Sequence, residues 1–105
     1  MRHPNADLVG IKGSRERLYT PALLIEREVF ERNIAAVIER SKAGGLKLRP
    51  HAKSHKSVAV AKRLIEAGAL GQCCATLGEA EALVEGGIPG VLITSVAEVL
   101  QVALR

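Results

Sequence analysis

Leu46-Lys47-Leu48-Arg49-Pro50-His51-Ala52-Lys53-Ser54-His55-Lys56-Ser57-Val58-Ala59-Val60-Ala61 joins a short apolar run to an amphipathic stretch through a turn dense in histidine and lysine. Leu46–Arg49 has the length of a strand, and Pro50 removes one ladder amide, which suits a strand's end. Val60, Ala61, Leu64 and Ile65 then fall on one helical stripe, closed by Gly68. The pattern repeats outward. Ala22–Ile25, Gln72–Thr76 and Val91–Thr94 are further strand-length runs. Phe30, Ile34, Val37 and Ile38 form a helical stripe before Gly44-Gly45, with Glu28 and Arg32 paired four apart on its outer side. Thr76-Leu77-Gly78-Glu79 and Ser95-Val96-Ala97-Glu98 both have capping-box spacing. A short helix follows the first and stops at Gly86-Gly87. After the second, Val96, Val99, Leu100, Ala103 and Leu104 keep helical spacing to the last residue.

Strands alternating with helices predict an α/β fold with parallel strands. About four βα units would make half of an eight-stranded TIM-like barrel, with two sheet edges open and one face uncovered. A small open sheet with rearranged helices is the alternative. Residues 1–19, which contain Gly10 and Gly13, read as an irregular lead-in, and residues 20–105 as the βα region.

Composition narrows the function. Of 105 residues, 48% are hydrophobic and only 2% aromatic, so the core must be aliphatic. Fifteen Lys and Arg stand against eleven Asp and Glu, a net charge of +4 spread along the chain. One Tyr and one Phe supply no stacking platform, which argues against nucleic-acid binding. No apolar segment is long enough to span a membrane and the start lacks a secretory signal, so the expected location is cytoplasmic. Cys73 and Cys74 are adjacent and point to opposite faces of an extended chain, so no disulfide between them is expected.

The segment Arg49–Lys56 lies where a strand hands over to its helix, the end of the sheet at which α/β enzymes place catalytic groups. Alternation along an extended chain would put His51, Lys53 and His55 on one face. A lysine attacks an aldehyde only as the free amine, and burial together with nearby cations (Arg49, His51, His55, Lys56) favours that form. The competing reading is a solvated rim of charge. His51 and His55 have zinc spacing only on a helix, which Pro50 opposes, so no metal site is assigned.

The octapeptide Arg49-Pro50-His51-Ala52-Lys53-Ser54-His55-Lys56 does not stand alone. Thr20-Pro21-Ala22-Leu23-Leu24 and Asn33-Ile34 precede it, and Gly71-Gln72-Cys73-Cys74 and Gly78-Glu79-Ala80-Glu81 follow. In order and spacing these elements resemble the amino-terminal part of the D-threonine aldolase and D-serine dehydratase family, relatives of the alanine racemase barrel. The resemblance covers about Leu18 to Ser95. It implies a pyridoxal 5'-phosphate enzyme, a lyase acting on small D-β-hydroxy amino acids, with Lys53 holding the cofactor as a Schiff base. His55 is then either a proton-handling partner of Lys53 or a helix-start residue facing solvent. Arg49 either meets the cofactor phosphate or makes an outward salt bridge, and His51 either touches the cofactor or is structural.

Family members run several times further. The resemblance therefore implies that later phosphate loops, a ring-packing aromatic residue and a carboxy-terminal His-containing site for a divalent metal are not in this chain, and that alone it has little or no activity. Two other functions fit the same residues: a non-catalytic pyridoxal-phosphate carrier, and a structural fragment that self-associates or forms a homodimer through its open edges.

Overall fold

The computed structural model describes residues 2–104. Two 3-10 turns, Ala6–Leu8 and Ser14–Arg17, make up most of the lead-in. They are tied to its end by Asn5, whose Oδ1 accepts from the Tyr19 amide while its Nδ2 donates to the Tyr19 carbonyl. Then come α1 (Arg27–Ala43), a 3-10 turn at Ala52–Ser54, α2 (Val58–Glu66), β1 (Cys73–Cys74), α3 (Leu77–Glu85), β2 (Leu92–Ile93) and α4 (Val96–Ala103). β1 and β2 pair in parallel, with Cys73 opposite Leu92 and Cys74 opposite Ile93. The chain is α/β with parallel strand pairing, as expected.

Four strands were expected, and the described residues form two. The Leu46–Arg49 run does lie beside β1: Leu70 N donates to Leu48 O at 2.8 Å, Cys73 N donates to Pro50 O at 2.8 Å, and His51 bridges Cys73 in parallel. Carbonyls two residues apart are thus met by amides three residues apart. That one-residue excess, together with the amide missing at Pro50, prevents a regular ladder. Ala22–Ile25 has no strand partner among the described residues, and Leu23 is fully exposed. A radius of gyration of 16.4 Å exceeds the roughly 13 Å of a compact domain this long, in keeping with an unpaired first run.

The helices obey their sequence signals more closely. Ser57 Oγ accepts from Val60 N to start α2, and Ala61 on its inner stripe is completely buried. Thr76 and Glu79 form the complete capping box of α3. On α1, Ile38 is buried and Phe30 and Ile34 are half-buried, but Val37 is exposed. The i,i+4 ion pair of α1 is Arg27–Glu31 at 3.1 Å instead of Glu28–Arg32, and Glu31 also lies 3.8 Å from Arg63 of α2. Glu98 of the second box turns its Oε2 to the Leu77 amide at 2.7 Å, so this α4 carboxylate also serves the start of α3. In the α4 stripe, Val96, Leu100 and Leu104 are exposed, while the Val99 side chain and Arg105 lie outside the described residues.

The core forms where the βα units meet. Ala52, Ala61, Cys74, Ala80, Leu83 and Ile88 make one buried cluster, with Val58, Ile65, Val91 and Ile93 packed against it. Small residues let the layers approach closely. Gly71 is the extreme case, because a Cβ there would sit 2.1 Å from Gly90 O.

Candidate functional site

Leu48 and Pro50 line a groove against Phe30, Ile34, Val37 and Leu64, which is the helix-covered side of the strand layer. Alternation then turns Arg49 and His51 to the opposite face, together with Cys73, whereas Cys74 enters the core. The extended chain ends at His51. Ala52–Ser54 follows as a 3-10 turn, so strand alternation stops before Lys53. The expectation that His51, Lys53 and His55 share one face is therefore corrected.

His51 starts that turn. Its Nδ1 accepts the Lys53 amide at 3.2 Å, and an amide can only donate, so the ring proton is on Nε2. Nε2 lies 3.4 Å from Thr94 Oγ1, and that hydroxyl donates to Cys74 O at 3.1 Å. Ser54 Oγ donates back to His51 O at 3.1 Å. The backbone of Lys53 is thereby held, while its side chain is exposed and has no hydrogen bond or ion pair among the described residues. The burial invoked for this lysine is not found.

His55 goes the other way. Its Nδ1 accepts from Ser57 N at 3.1 Å, which leaves Nε2–H to donate to Gln72 Oε1 at 3.3 Å. Gln72 is fully buried, on the same side of the strand layer as Cys74, and its own Nε2 donates to Gly71 O. Both ring nitrogens of His55 are thus engaged, so the solvent-facing reading of this residue is replaced by a structural contact. Lys56 follows in the left-handed region at φ 45° and places Nζ 3.8 Å from Glu79.

Arg49 makes no outward salt bridge among the described residues; its Nε is buried without a hydrogen-bond partner. No group of three His, Cys, Asp or Glu residues is arranged for a metal among the described residues. Glu79 is held below the usual carboxylate range, first by the Ala75 amide, against burial, and then by the Thr76 amide, Lys56 and His51. Burial pushes the Cys74 thiol up, with Glu79 and Cys73 adding to it, and both cysteines are free. The sequence reading missed Thr94 and Gln72. Each lay in a strand-length run, and Gln72 also lay in the Gly71-Gln72-Cys73-Cys74 element of the resemblance, but neither place pointed to a histidine partner.

Residues 25–103 match the model of the alanine racemase N-terminal domain. The chain belongs to that family. The family's domain is a TIM-barrel-type fold. The chain is 41% identical over 92 residues to the 3-hydroxy-D-aspartate aldolase of Paracoccus denitrificans, covering 85% of this chain and 24% of the relative. The crystal structure of D-threonine aldolase from Filomicrobium marinum superposes with a TM-score of 0.70 at 47% identity, over 71% of this chain and 20% of that one. D-threo-3-hydroxyaspartate dehydratase from Delftia sp. HT23 gives 0.74 at 38% identity, over 84% and 25%. The chain thus spans about a quarter of the length of these relatives. They are the kind of enzyme that the octapeptide and its flanks resemble.

Proposed function

We propose that this chain is the lysine-bearing part of a pyridoxal-phosphate-dependent lyase acting on small D-β-hydroxy amino acids. In this reading residues 20–105 form the first βα units of the barrel and residues 1–19 lead into it. The observation that carries the proposal is Lys53: exposed, unpaired among the described residues, and rooted in a capped turn just past the end of an extended segment that pairs in parallel with β1. The relatives named above support the class of substrate.

The residues present fit the cofactor at its aldehyde end. Lys53 offers a primary amine, and Arg49 offers a buried donor that no protein group satisfies, as an anionic or ring-nitrogen partner would require. When bound, pyridoxal phosphate supplies an electrophilic aldehyde and a ring that accepts the electron pair released when a bond at Cα breaks. Lys53 must present its amine unprotonated to attack that aldehyde. His51 fixes the backbone from which the amine extends. Arg49 would hold the cofactor, and His55 is assigned to anchoring the turn through Gln72 rather than to moving protons.

The test adds pyridoxal phosphate to the chain and to Lys53→Ala, reads the absorbance of the covalent adduct, and then adds D-threonine or D-3-hydroxyaspartate. A saturable adduct that Lys53→Ala abolishes and that these D-amino acids discharge supports the reading. Equal absorbance from both proteins would refute it.

A further inference from the structure

We propose that Thr94 is a positioning residue for Lys53, acting through His51 across three successive βα units. This inference rests on the reading of Lys53 as the reacting lysine. Three hydrogen bonds run in one direction and each fixes the next. The Thr94 hydroxyl has a single proton, which it gives to Cys74 O at 3.1 Å at the end of β1. Its lone pairs are therefore what it can turn to His51 Nε2, 3.4 Å away. With its proton on Nε2, the His51 ring keeps the Nδ1 lone pair for the Lys53 amide at 3.2 Å.

Thr94 is itself pinned, because its amide also donates to Cys74 O, at 3.0 Å. The reference point of the chain of bonds is thus a carbonyl of the one regular strand pair among the described residues, β1 with β2. The residues concerned are far apart in sequence: His51 and Thr94 are separated by 43 positions. Neither contact with Thr94 is needed to cover the core, since Thr94 is exposed and Ile93 beside it makes the packing contact. What the arrangement does is fix the orientation of the His51 ring, and through it the turn from which the Lys53 side chain leaves. Without the hydroxyl the imidazole is free to rotate about its side-chain bonds, and the cap on the Lys53 amide is made only part of the time.

The experiment measures amide hydrogen exchange at Lys53 and at Cys73 in the chain, in Thr94→Val and in Thr94→Ser. Thr94→Val is expected to speed exchange at Lys53 about five-fold, the ratio that one net hydrogen bond corresponds to, while the Cys73 amide keeps its protection. Thr94→Ser, which retains the hydroxyl, should match the parent chain. In a His51→Asn background the shorter side chain can still cap the turn through its oxygen, and there Thr94→Val should leave Lys53 unchanged. A purely structural Thr94 would loosen both amides together, and that outcome overturns the proposal, as does unchanged exchange in Thr94→Val.

The same samples are treated with pyridoxal phosphate and borohydride, and the labelled lysine is identified by peptide mapping. Label on Lys53 that falls in Thr94→Val and returns in Thr94→Ser supports the link to function. Label on Lys53 at equal extent in all three variants overturns that link. Label on other lysines in the parent chain overturns instead the reading of Lys53, and the exchange data still decide whether Thr94 governs the turn.

Discussion

Replacing His55 with alanine tests whether this ring is a structural clamp. Two bonds are lost. The Ser57 amide, half-buried and able to recruit water, loses its acceptor at 3.1 Å, at a cost of about 1 kcal/mol. Gln72 Oε1 loses its donor at 3.3 Å inside a residue with no exposed surface, and an unsatisfied buried carbonyl costs about 1–3 kcal/mol. The expected loss for His55→Ala is therefore about 2–4 kcal/mol, a large share of the roughly 5–15 kcal/mol typical of a whole domain. Urea unfolding followed by circular dichroism reads it as a lower midpoint at unchanged slope. Gln72→Leu in the same background removes the stranded carbonyl, so the double variant should be more stable than the sum of the singles by about 1–2 kcal/mol. Additive effects, or a His55→Ala cost below about 0.5 kcal/mol, would refute the clamp.

Gly71→Ala would place a methyl 2.1 Å from Gly90 O and 2.7 Å from Gly90 C, backbone atoms that cannot step aside without parting the segments that lead into β1 and β2. A loss of about 3 kcal/mol in the same urea assay is expected, and a neutral effect would contradict the close approach. Glu79 has a folded-state pKa below its unfolded value, chiefly through the Ala75 amide. It therefore contributes stability above the ordinary glutamate pKa, and that contribution is lost as pH falls through the depressed folded value. Glu79→Gln should lower stability at neutral pH and flatten the acid limb of a stability–pH profile, so an unchanged limb would count against it. Lys56 sits at φ 45°, a conformation that costs a side-chain-bearing residue about 1–2 kcal/mol, and its pair with the half-buried Glu79 is long, at 3.8 Å, and made from an exposed lysine. Lys56→Gly should raise the thermal midpoint, and a clear fall would show that the Glu79 pair outweighs the backbone strain.

Much of the helical architecture was legible because its signals are local. Thr76 and Glu79 announce α3 by chemistry that needs only four residues, and the closing of α2 at Gly68 needs only a φ of 114°. The strands were less so. Ala22–Ile25 and Leu46–Arg49 have strand composition, yet pairing is a property of the neighbour. The first run has none among the described residues, and the second meets an offset partner across Pro50. The site was half legible. Lys53 is nominated by its place at the hand-over from run to helix and by the family resemblance, but the divergence of the two histidines was not legible. That divergence arises at the 3-10 turn at Ala52–Ser54, between the two rings, which breaks an alternation that the sequence otherwise supports. Thr94 and Gln72 meet these rings from 43 and 17 positions away, distances at which sequence spacing gives no warning.

The proposed role of Lys53 is that of the aldehyde-binding lysine. It is tested most directly by trapping the chain with substoichiometric pyridoxal phosphate and borohydride and mapping the label by mass spectrometry. The phosphopyridoxyl label is expected at a single position, Lys53, and is lost in Lys53→Arg without reappearing elsewhere. Label distributed over other exposed lysines such as Lys42, Lys47 and Lys62, and undiminished in Lys53→Arg, would contradict it.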